Sequence, residues 1–156
     1  MNNIVLAPGN QINVTRSLIN CISWDTIKTH MDSKCYKKLY DSNKDSKGLF
    51  CWAVSSKTLF NKISIEDIFL FSERSTGIFG YKANVILKYI SKDLSSAIWD
   101  YKFNKPWEYM LFFKSVYKTI ITKEKMRCVL NYKETYRFTM AYMLKPENTV
   151  KLQSII

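Results

Sequence analysis

Short apolar runs separated by turn signals predict that much of the chain forms strands. Residues 11–22 carry β-branched side chains in an alternating pattern, which predicts a strand. Residues 67–72 are apolar on both faces, as is typical of a central strand. Gly77 permits a turn into a returning strand over residues 78–90, in which Gly80 indicates a bulge. Residues 3–7 are a short apolar run that ends at the turn signal Pro8-Gly9, and further strands are predicted at residues 49–54, 106–113 and 136–140.

A four-residue spacing of apolar side chains predicts one longer helix. It begins at Ser23–Thr26, where Ser23 or Asp25 can serve as the N-cap, and it continues past residue 35. Residues 41–47 and 91–105 are polar and are predicted to be loops. The apolar face of this helix carries Ile27, Met31, Cys35 and Leu39. Shorter helices are predicted at 57–63 and 123–130 and from Pro146 onward.

The order of these elements predicts an α+β fold. The 156 residues are the usual size of one domain, and no linker or repeat divides them, so residues 1–156 are expected to form a single domain. The strands are expected to form a strongly bent mixed sheet or a small β-barrel, with helices on its flanks.

The charge of the chain favours a polyanionic partner. Lys and Arg number 24 against 13 Asp and Glu, a formal net charge of +11. The alternative is a lysine surface that serves only solubility. Four cysteines without paired spacing argue against a zinc site, and no cofactor is expected. The absence of a signal peptide and of a long apolar run predicts a cytoplasmic protein with free thiols and no membrane partner.

Candidate catalytic residues are few, and the chain is not expected to be an enzyme. The single histidine, His30, has no evident acidic partner in the sequence. Glu66 and Asp67 are adjacent, so a strand would point them to opposite faces. Asp32 and Asp45 each begin an Asp-Ser-Lys triplet like the end of a nuclease motif, which keeps a metal-dependent nuclease open as an alternative.

Tryptophans are the more informative residues. Trp52 ends a predicted strand and is followed by Ser55 and Ser56, whose hydroxyls can contact the edge of a base. Trp99 lies in the polar loop after the returning strand. Two such indoles across a gap would sandwich a flipped nucleobase, and each stacked base contributes about 1–3 kcal/mol. A buried methyl group adds roughly 0.8 kcal/mol. The alternative is that both tryptophans simply pack in the core.

The order of motifs resembles the EVE and YTH branch of the PUA-like superfamily. A helix precedes a strand that ends in Trp-Ala-x-Ser at residues 52–55, and Ile-Phe-Leu-Phe-Ser-x-x-x-x-Gly-x-Phe-Gly follows at 68–80. After a loop with a tryptophan comes Glu-x-x-Leu-Phe-Phe-Lys-Ser-Val at 108–116. The resemblance implies a cage for a modified base and extends to the N-terminal reader domains of McrBC-type restriction systems.

The resemblance assigns a role to each candidate residue. Trp52 is the first wall of the cage and Trp99 the second, with Phe103 or Trp107 as the alternative second wall. The other implied base-binding residues are Ser55, Ser56, Trp24 and Asp25. We expect the phosphates to be held by Lys57, Arg74, Lys82 and Lys102.

The resulting expectation is a reader of N6-methyladenine in DNA, with DNA favoured over RNA. Within a restriction system its partners would be a GTPase motor and a nuclease subunit. One alternative is a reader of methylated RNA with the same fold. Another is an interaction or inhibitor protein whose aromatic side chains bind a protein.

Overall fold

The computed structural model describes residues 2–99 and 106–156, which fold around a seven-stranded mixed sheet. The strands are β1 (Ile4–Gly9), β2 (Ile22–Ser23), β3 (Gly48–Val54), β4 (Ile68–Glu73), β5 (Ile78–Ile90), β6 (Tyr109–Thr122) and β7 (Tyr142–Met143). Their order across the sheet is β2-β3-β6-β5-β4-β1-β7. β1 and β4 are parallel, and the other neighbouring pairs are antiparallel.

Helices flank the sheet, and six of those in the described ranges begin at a side chain whose oxygen accepts a backbone N–H. A π-helical turn, Thr15–Ile19, continues the first helix, and Pro146 occupies the first turn of the last. None of the helices seen in the described chain has the length and apolar character of a bilayer span. The helices are α1 (Gln11–Val14), α2 (Trp24–His30), α3 (Ser33–Asn43), α4 (Lys57–Lys62), α5 (Lys92–Ile98), α6 (Lys123–Leu130) and α7 (Pro146–Gln153).

Alternate side chains of each strand divide the core between the two faces of the sheet. One face carries what we term the inner cluster, which α1, the π-helical turn and α4 cover. The opposite face carries the α5 cluster, which α2, α3 and α5 cover, and the C-terminal cluster, which α6 and α7 cover. The inner cluster includes Val14, Leu18, Trp52, Phe69, Phe71 and Phe113; the α5 cluster includes Ile27, Leu94, Trp99 and Phe112; the C-terminal cluster includes Leu70, Met126 and Leu152.

Strong curvature brings distant strands of the sheet together. Trp52 of β3 packs against Phe71 of β4, with ring centroids 5.4 Å apart, although β6 and β5 separate these strands in the sheet. The sheet therefore curls around the inner cluster. In the described ranges the two ends of the sheet do not pair, so the predicted bent mixed sheet is confirmed and a closed barrel is not formed.

Several predicted elements are confirmed. The hairpin of β4 and β5 lies where the sequence places it, and the register shifts between Phe79 and Tyr81, which puts the expected bulge at Gly80. The helices at 57–62 and 123–130 and the closing helix from Pro146 also form. Gly77 lies in the turn but does not use a positive φ.

The strand predicted for residues 11–22 is wrong, because the segment is α1 followed by the π-helical turn. Asn10 accepts a hydrogen bond from the backbone N–H of Asn13 at 2.8 Å and so starts a helix. Val14 and Leu18 are buried four residues apart, which is helical spacing. The cap and this spacing outweigh the β propensity of the branched side chains.

Three other predictions are corrected by local capping and packing. The long helix after residue 23 is broken at Met31, because Asp32 caps a second helix by accepting the N–H of Cys35. Ser91 caps a helix within the predicted loop at 91–105. Residues 136–140 are not a strand; Phe138 packs into the C-terminal cluster, and β7 follows them.

Gly48 provides a test of this packing. A Cβ on Gly48 would overlap the carbonyl oxygen of Ile22 and lie 2.8 Å from its carbonyl carbon, whereas a Cβ on Gly77 meets no atom within 4 Å. We expect Gly48→Ala to lower the free energy of unfolding by about 1–3 kcal/mol. Gly77→Ala is the matched control and should change it by less than about 0.5 kcal/mol. Urea denaturation measures both, and equal stabilities would contradict the register of β2 on β3.

Candidate nucleic-acid interface

A cavity of about 470 Å³ lies between strands from opposite ends of the curled sheet. Pro8 and Gly9 of β1 and Trp52 of β3 all line it. The cavity therefore occupies the gap that the sheet leaves by not closing. We term it the tryptophan cavity. Its aromatic and polar lining consists of Trp52, Trp99, Trp107, Arg16, Arg74, Asn10 and Asn13.

The first wall, Trp52, is positioned by the backbone of Gly9. A Cβ on Gly9 would lie 2.9 Å from the indole carbon Cζ2 of Trp52 and nearer still to Cη2, so the ring fits only against a glycine. Trp52 is only 4% exposed, because Phe71 packs against its other side. It is at once a core residue and a wall of the cavity.

Trp99 is placed by α5 rather than by the polar loop that the sequence predicts. Its backbone N–H donates to the carbonyl of Ser95 at 2.9 Å, so the residue directly follows the helix. The side chain is 3% exposed and packs in the α5 cluster, and its indole N–H is buried without an acceptor in the described structure. Such an orphaned donor costs about 1–3 kcal/mol. The second indole thus reaches the cavity from the opposite face of the sheet.

Trp107 contributes the most accessible of the three rings. It is 37% exposed and lines both this cavity and a neighbouring one. The hydroxyl of Ser95 donates to its carbonyl at 2.7 Å, which ties the start of β6 to α5. The sequence named Trp107 only as an alternative second wall; the structure brings it to the same cavity as Trp52 and Trp99.

Arg74 reaches the cavity because its turn is fixed at both sides. Its backbone N–H donates to the carbonyl of Gly9 at 2.8 Å. The ammonium group of Lys123 donates to the carbonyls of Thr76 at 2.7 Å and Glu73 at 3.2 Å. Burial, with the nearby Arg127, lowers the pKa of Lys123. The β4–β5 turn therefore presents the Arg74 side chain from a defined backbone.

The electrostatic character of the cavity suits an anion. Two of its described lining residues are arginines, Arg16 and Arg74, and none is acidic. Guanidinium groups bind phosphate oxygens in a bidentate manner, which makes arginine the usual residue for that contact. An aromatic interior beside this cationic rim combines features that single-stranded or flipped nucleotides require.

The predicted serines line a smaller neighbouring cavity of about 210 Å³. Ser55 and Ser56 lie there together with Trp52, Arg74 and Trp107, which the two cavities share. The hydroxyl of Ser56 accepts the N–H of Leu59 at 3.1 Å and so caps α4. Ser55 is exposed. The serines thus adjoin the tryptophan cavity without lining it.

Trp24 and Asp25 are not brought to either cavity. The indole N–H of Trp24 donates to the carbonyl of Ser46 at 2.8 Å. Its ring packs edge-on against Tyr36 and Tyr40, which leaves it a structural role between α2 and α3. Asp25 is exposed in the first turn of α2. The family resemblance implied that both residues bind the base. In the structure, Trp24 at the start of α2 packs against the α5 cluster instead.

Of the predicted phosphate-binding residues, Arg74 alone lines the tryptophan cavity within the described chain. Lys57 is exposed at the start of α4, and Lys82 is half-buried on β5; neither lines either cavity. Lys102, like the alternative wall Phe103, lies outside the described residues.

Sequence reasoning missed Asn10, Asn13 and Arg16. The strand predicted for residues 11–22 would have put Asn13 and Arg16 on opposite faces of a sheet. The helical conformation instead gathers them at the mouth of the cavity. The N-capping asparagine at position 10 was the available signal.

His30 has an acidic partner that the sequence did not reveal. Its Nδ1 lies 2.7 Å from a carboxylate oxygen of Asp93, which links α2 to α5. The pair lines neither of the two cavities. Nowhere in the described part of the chain do three His, Cys, Asp or Glu side chains form a group that could hold a metal ion.

Comparison with known proteins defines the fold. No family model matches the sequence, and no curated protein matches it. Among solved structures, the N-terminal domain of Thermococcus gammatolerans McrB bound to m5C DNA matches with a TM-score of 0.75, over 99% of this chain and 96% of that one. The chain shares the fold of this McrB domain. At 16% identity, this similarity to the McrB domain concerns the fold and not the residues of a site.

Two further structures match this chain more weakly. A hypothetical protein from Leishmania major has a TM-score of 0.54 at 13% identity, over 99% of this chain and 94% of that one. The Pho92 YTH domain in complex with m6A has a TM-score of 0.48 at 12% identity, over 98% and 82%. The fold is assigned on the similarity to the McrB domain.

The clamp on the Arg74 turn provides a test of how this domain presents its cationic rim. Lys123→Met removes the group that donates to the carbonyls of Glu73 and Thr76, and we expect it to lower the free energy of unfolding by about 1–3 kcal/mol. Lys125→Met in the same helix is the matched control, because Lys125 is exposed and should change stability by less than about 0.5 kcal/mol. Equal melting temperatures for the two variants would contradict the clamp.

Proposed function

We propose that this domain binds nucleic acid and reads a methylated base that is flipped into the tryptophan cavity. The observation that supports this most directly is the convergence of Trp52, Trp99 and Trp107 on one cavity beside Arg16 and Arg74. Its volume of about 470 Å³ is within the range of small-ligand sites. Extruding a base costs a few kcal/mol, and aromatic stacking returns about 1–3 kcal/mol per base.

DNA is the nucleic acid we favour. The fold is that of a McrB domain whose structure contains m5C DNA, and the similarity extends over nearly the full length of both chains. The net charge of +11 agrees with a polyanionic ligand. We retain N6-methyladenine, the base expected from the sequence, as the first base to test, with 5-methylcytosine as the second.

The domain would act as the recognition part of a larger system and not as an enzyme. We propose a modification-dependent restriction system in which a GTPase motor and a nuclease subunit are the partners. The proposal rests on the shared fold with the McrB domain. Binding of a methylated base by this chain alone is its first requirement.

The two arginines would hold the DNA backbone, while the indoles and amides would select the base. Phosphate contacts fix the position of a strand but carry no sequence information. Asn10 and Asn13 contribute amide groups at the cavity mouth, and the Asn13 amide can both donate to and accept from a base edge. Affinity and specificity should therefore separate on mutation.

The role of the indoles is tested by substitution at Trp52 and Trp107. We expect Trp107→Ala and Trp52→Phe to reduce or abolish the preference for methylated over unmodified DNA, while salt-sensitive background binding persists. Trp107 is partly exposed and Trp52→Phe keeps most of the buried volume, so both variants should fold. Fluorescence anisotropy with matched duplexes carrying N6-methyladenine, 5-methylcytosine or no methyl group measures the preference.

The matched control for these substitutions is Trp24→Phe, which changes an indole that lines neither cavity. It should discriminate as the wild type does. Methylated RNA of the same sequence tests the choice of DNA. Undiminished discrimination by folded Trp107→Ala and Trp52→Phe would refute the cage, and a wild type without preference would refute the proposed function.

The role of the arginines is tested by salt dependence. Each phosphate contact changes the slope of log K against log salt by about 0.9 for duplex DNA. We expect Arg16→Gln and Arg74→Gln each to reduce the slope by about this amount, and to weaken methylated and unmodified DNA equally. Arg137→Gln is the control, because Arg137 is exposed and lines neither cavity. Slopes that are equal for all four proteins would contradict phosphate binding at this rim.

A further inference from the structure

Ile12 is an apolar side chain exposed at the mouth of the tryptophan cavity. It lies in α1, lines the cavity and is 64% exposed. Its helical neighbours Val14 and Leu18 are fully buried in the inner cluster, so the backbone that carries Ile12 is held against the core. The segment therefore presents a large hydrophobic group outward from a rigid support.

The polar groups beside Ile12 can bind a base that has lost its pairing partner and the phosphate next to it. Asn13 and Arg16 line the same cavity and follow Ile12 by one and four residues. An asparagine amide carries a donor and an acceptor, which an unpaired base presents in complementary form. A guanidinium group binds phosphate. One short segment thus combines an apolar tip, an amide and a cation at the entrance to a base-sized site.

We propose that the bound nucleic acid is a duplex, and that Ile12 inserts into the stack from which the base has been removed. This inference rests on the proposed function of the tryptophan cavity. Removing a base from a duplex leaves two base pairs without their stacking partner, and apolar side chains such as isoleucine commonly fill such steps. A single strand has no such gap. The inserted Ile12 side chain, which we term the wedge, would therefore stabilise only a complex with a duplex.

The position of Ile12 distinguishes it from two other exposed aliphatic side chains of this region, Ile19 and Met140. Ile19 lies in the same helical run and is 49% exposed, but it does not line the cavity. Met140 is 72% exposed but lines the smaller neighbouring cavity. Of the three, Ile12 alone stands beside the tryptophans with Asn13 and Arg16.

The test compares a duplex with a single strand of the same sequence, each carrying the methylated base that the wild type prefers, with N6-methyladenine and 5-methylcytosine tried in turn. We expect Ile12→Ala to lower the affinity for the methylated duplex about tenfold, which is about 1.4 kcal/mol, and to leave the single-strand affinity unchanged. A 2-aminopurine next to the methylated base should fluoresce less with this variant, because fewer bases are unstacked. Ile19→Ala is the matched control and should behave as the wild type.

The outcomes separate the wedge from the cage. If the wild type prefers methylated DNA but Ile12→Ala affects duplex and single strand equally, or affects neither, the wedge is refuted while the proposed function stands. A duplex-specific loss in Met140→Ala and not in Ile12→Ala also refutes it. If the wild type shows no preference for methylated DNA in either form, the proposed function fails and the wedge with it. Thermal melting confirms that each variant is folded.

Discussion

The contact between the indole of Trp52 and the backbone of Gly9 determines how far the sheet can curl. The two residues belong to β3 and β1, which three strands separate, and the ring occupies the space that any side chain on Gly9 would take. Because the indole is buried and packs against Phe71, it cannot turn away from Gly9 without disturbing the core. The contact therefore holds β3 and β1 close together beside the cavity that both residues line.

Most of the sheet could be predicted because its strands are dense in apolar residues. The hairpin at 68–90 and its bulge at Gly80 are correct, since a strand that is buried on both faces has a pattern no exposed element shares. The strand prediction for residues 11–22 was wrong. Their β-branched side chains favour a strand, but the N-cap Asn10 starts a helix there. Propensity sums over many residues, but a cap acts through a single hydrogen bond.

The candidate site could be predicted only in part. Trp52, Trp99 and Arg74, which the sequence analysis named as candidates, line one cavity, although α5 occupies residues 92–98 of the loop expected around Trp99. Trp24 does not reach it, because a helix start can be recognised in a sequence while its packing partners cannot. Arg16 was not identified as a lining residue, because its segment was predicted to be a strand and is helical. To predict a site that is assembled from several elements, one must know how those elements lie relative to one another. The hydrophobic periodicity of a sequence does not give this information.

The two buried indoles belong to different hydrophobic clusters on opposite faces of the sheet. Each is held by a core whose other buried members do not line the tryptophan cavity. Under the proposed function, the two indoles would be constrained by folding as well as by recognition, so a substitution there would be selected against on both grounds. The exposed residues at the entrance do not pack in a core, so folding does not constrain them in the same way. Under the same proposal, differences in ligand preference among proteins of this fold should accumulate at the exposed lining residues, while the buried tryptophans persist.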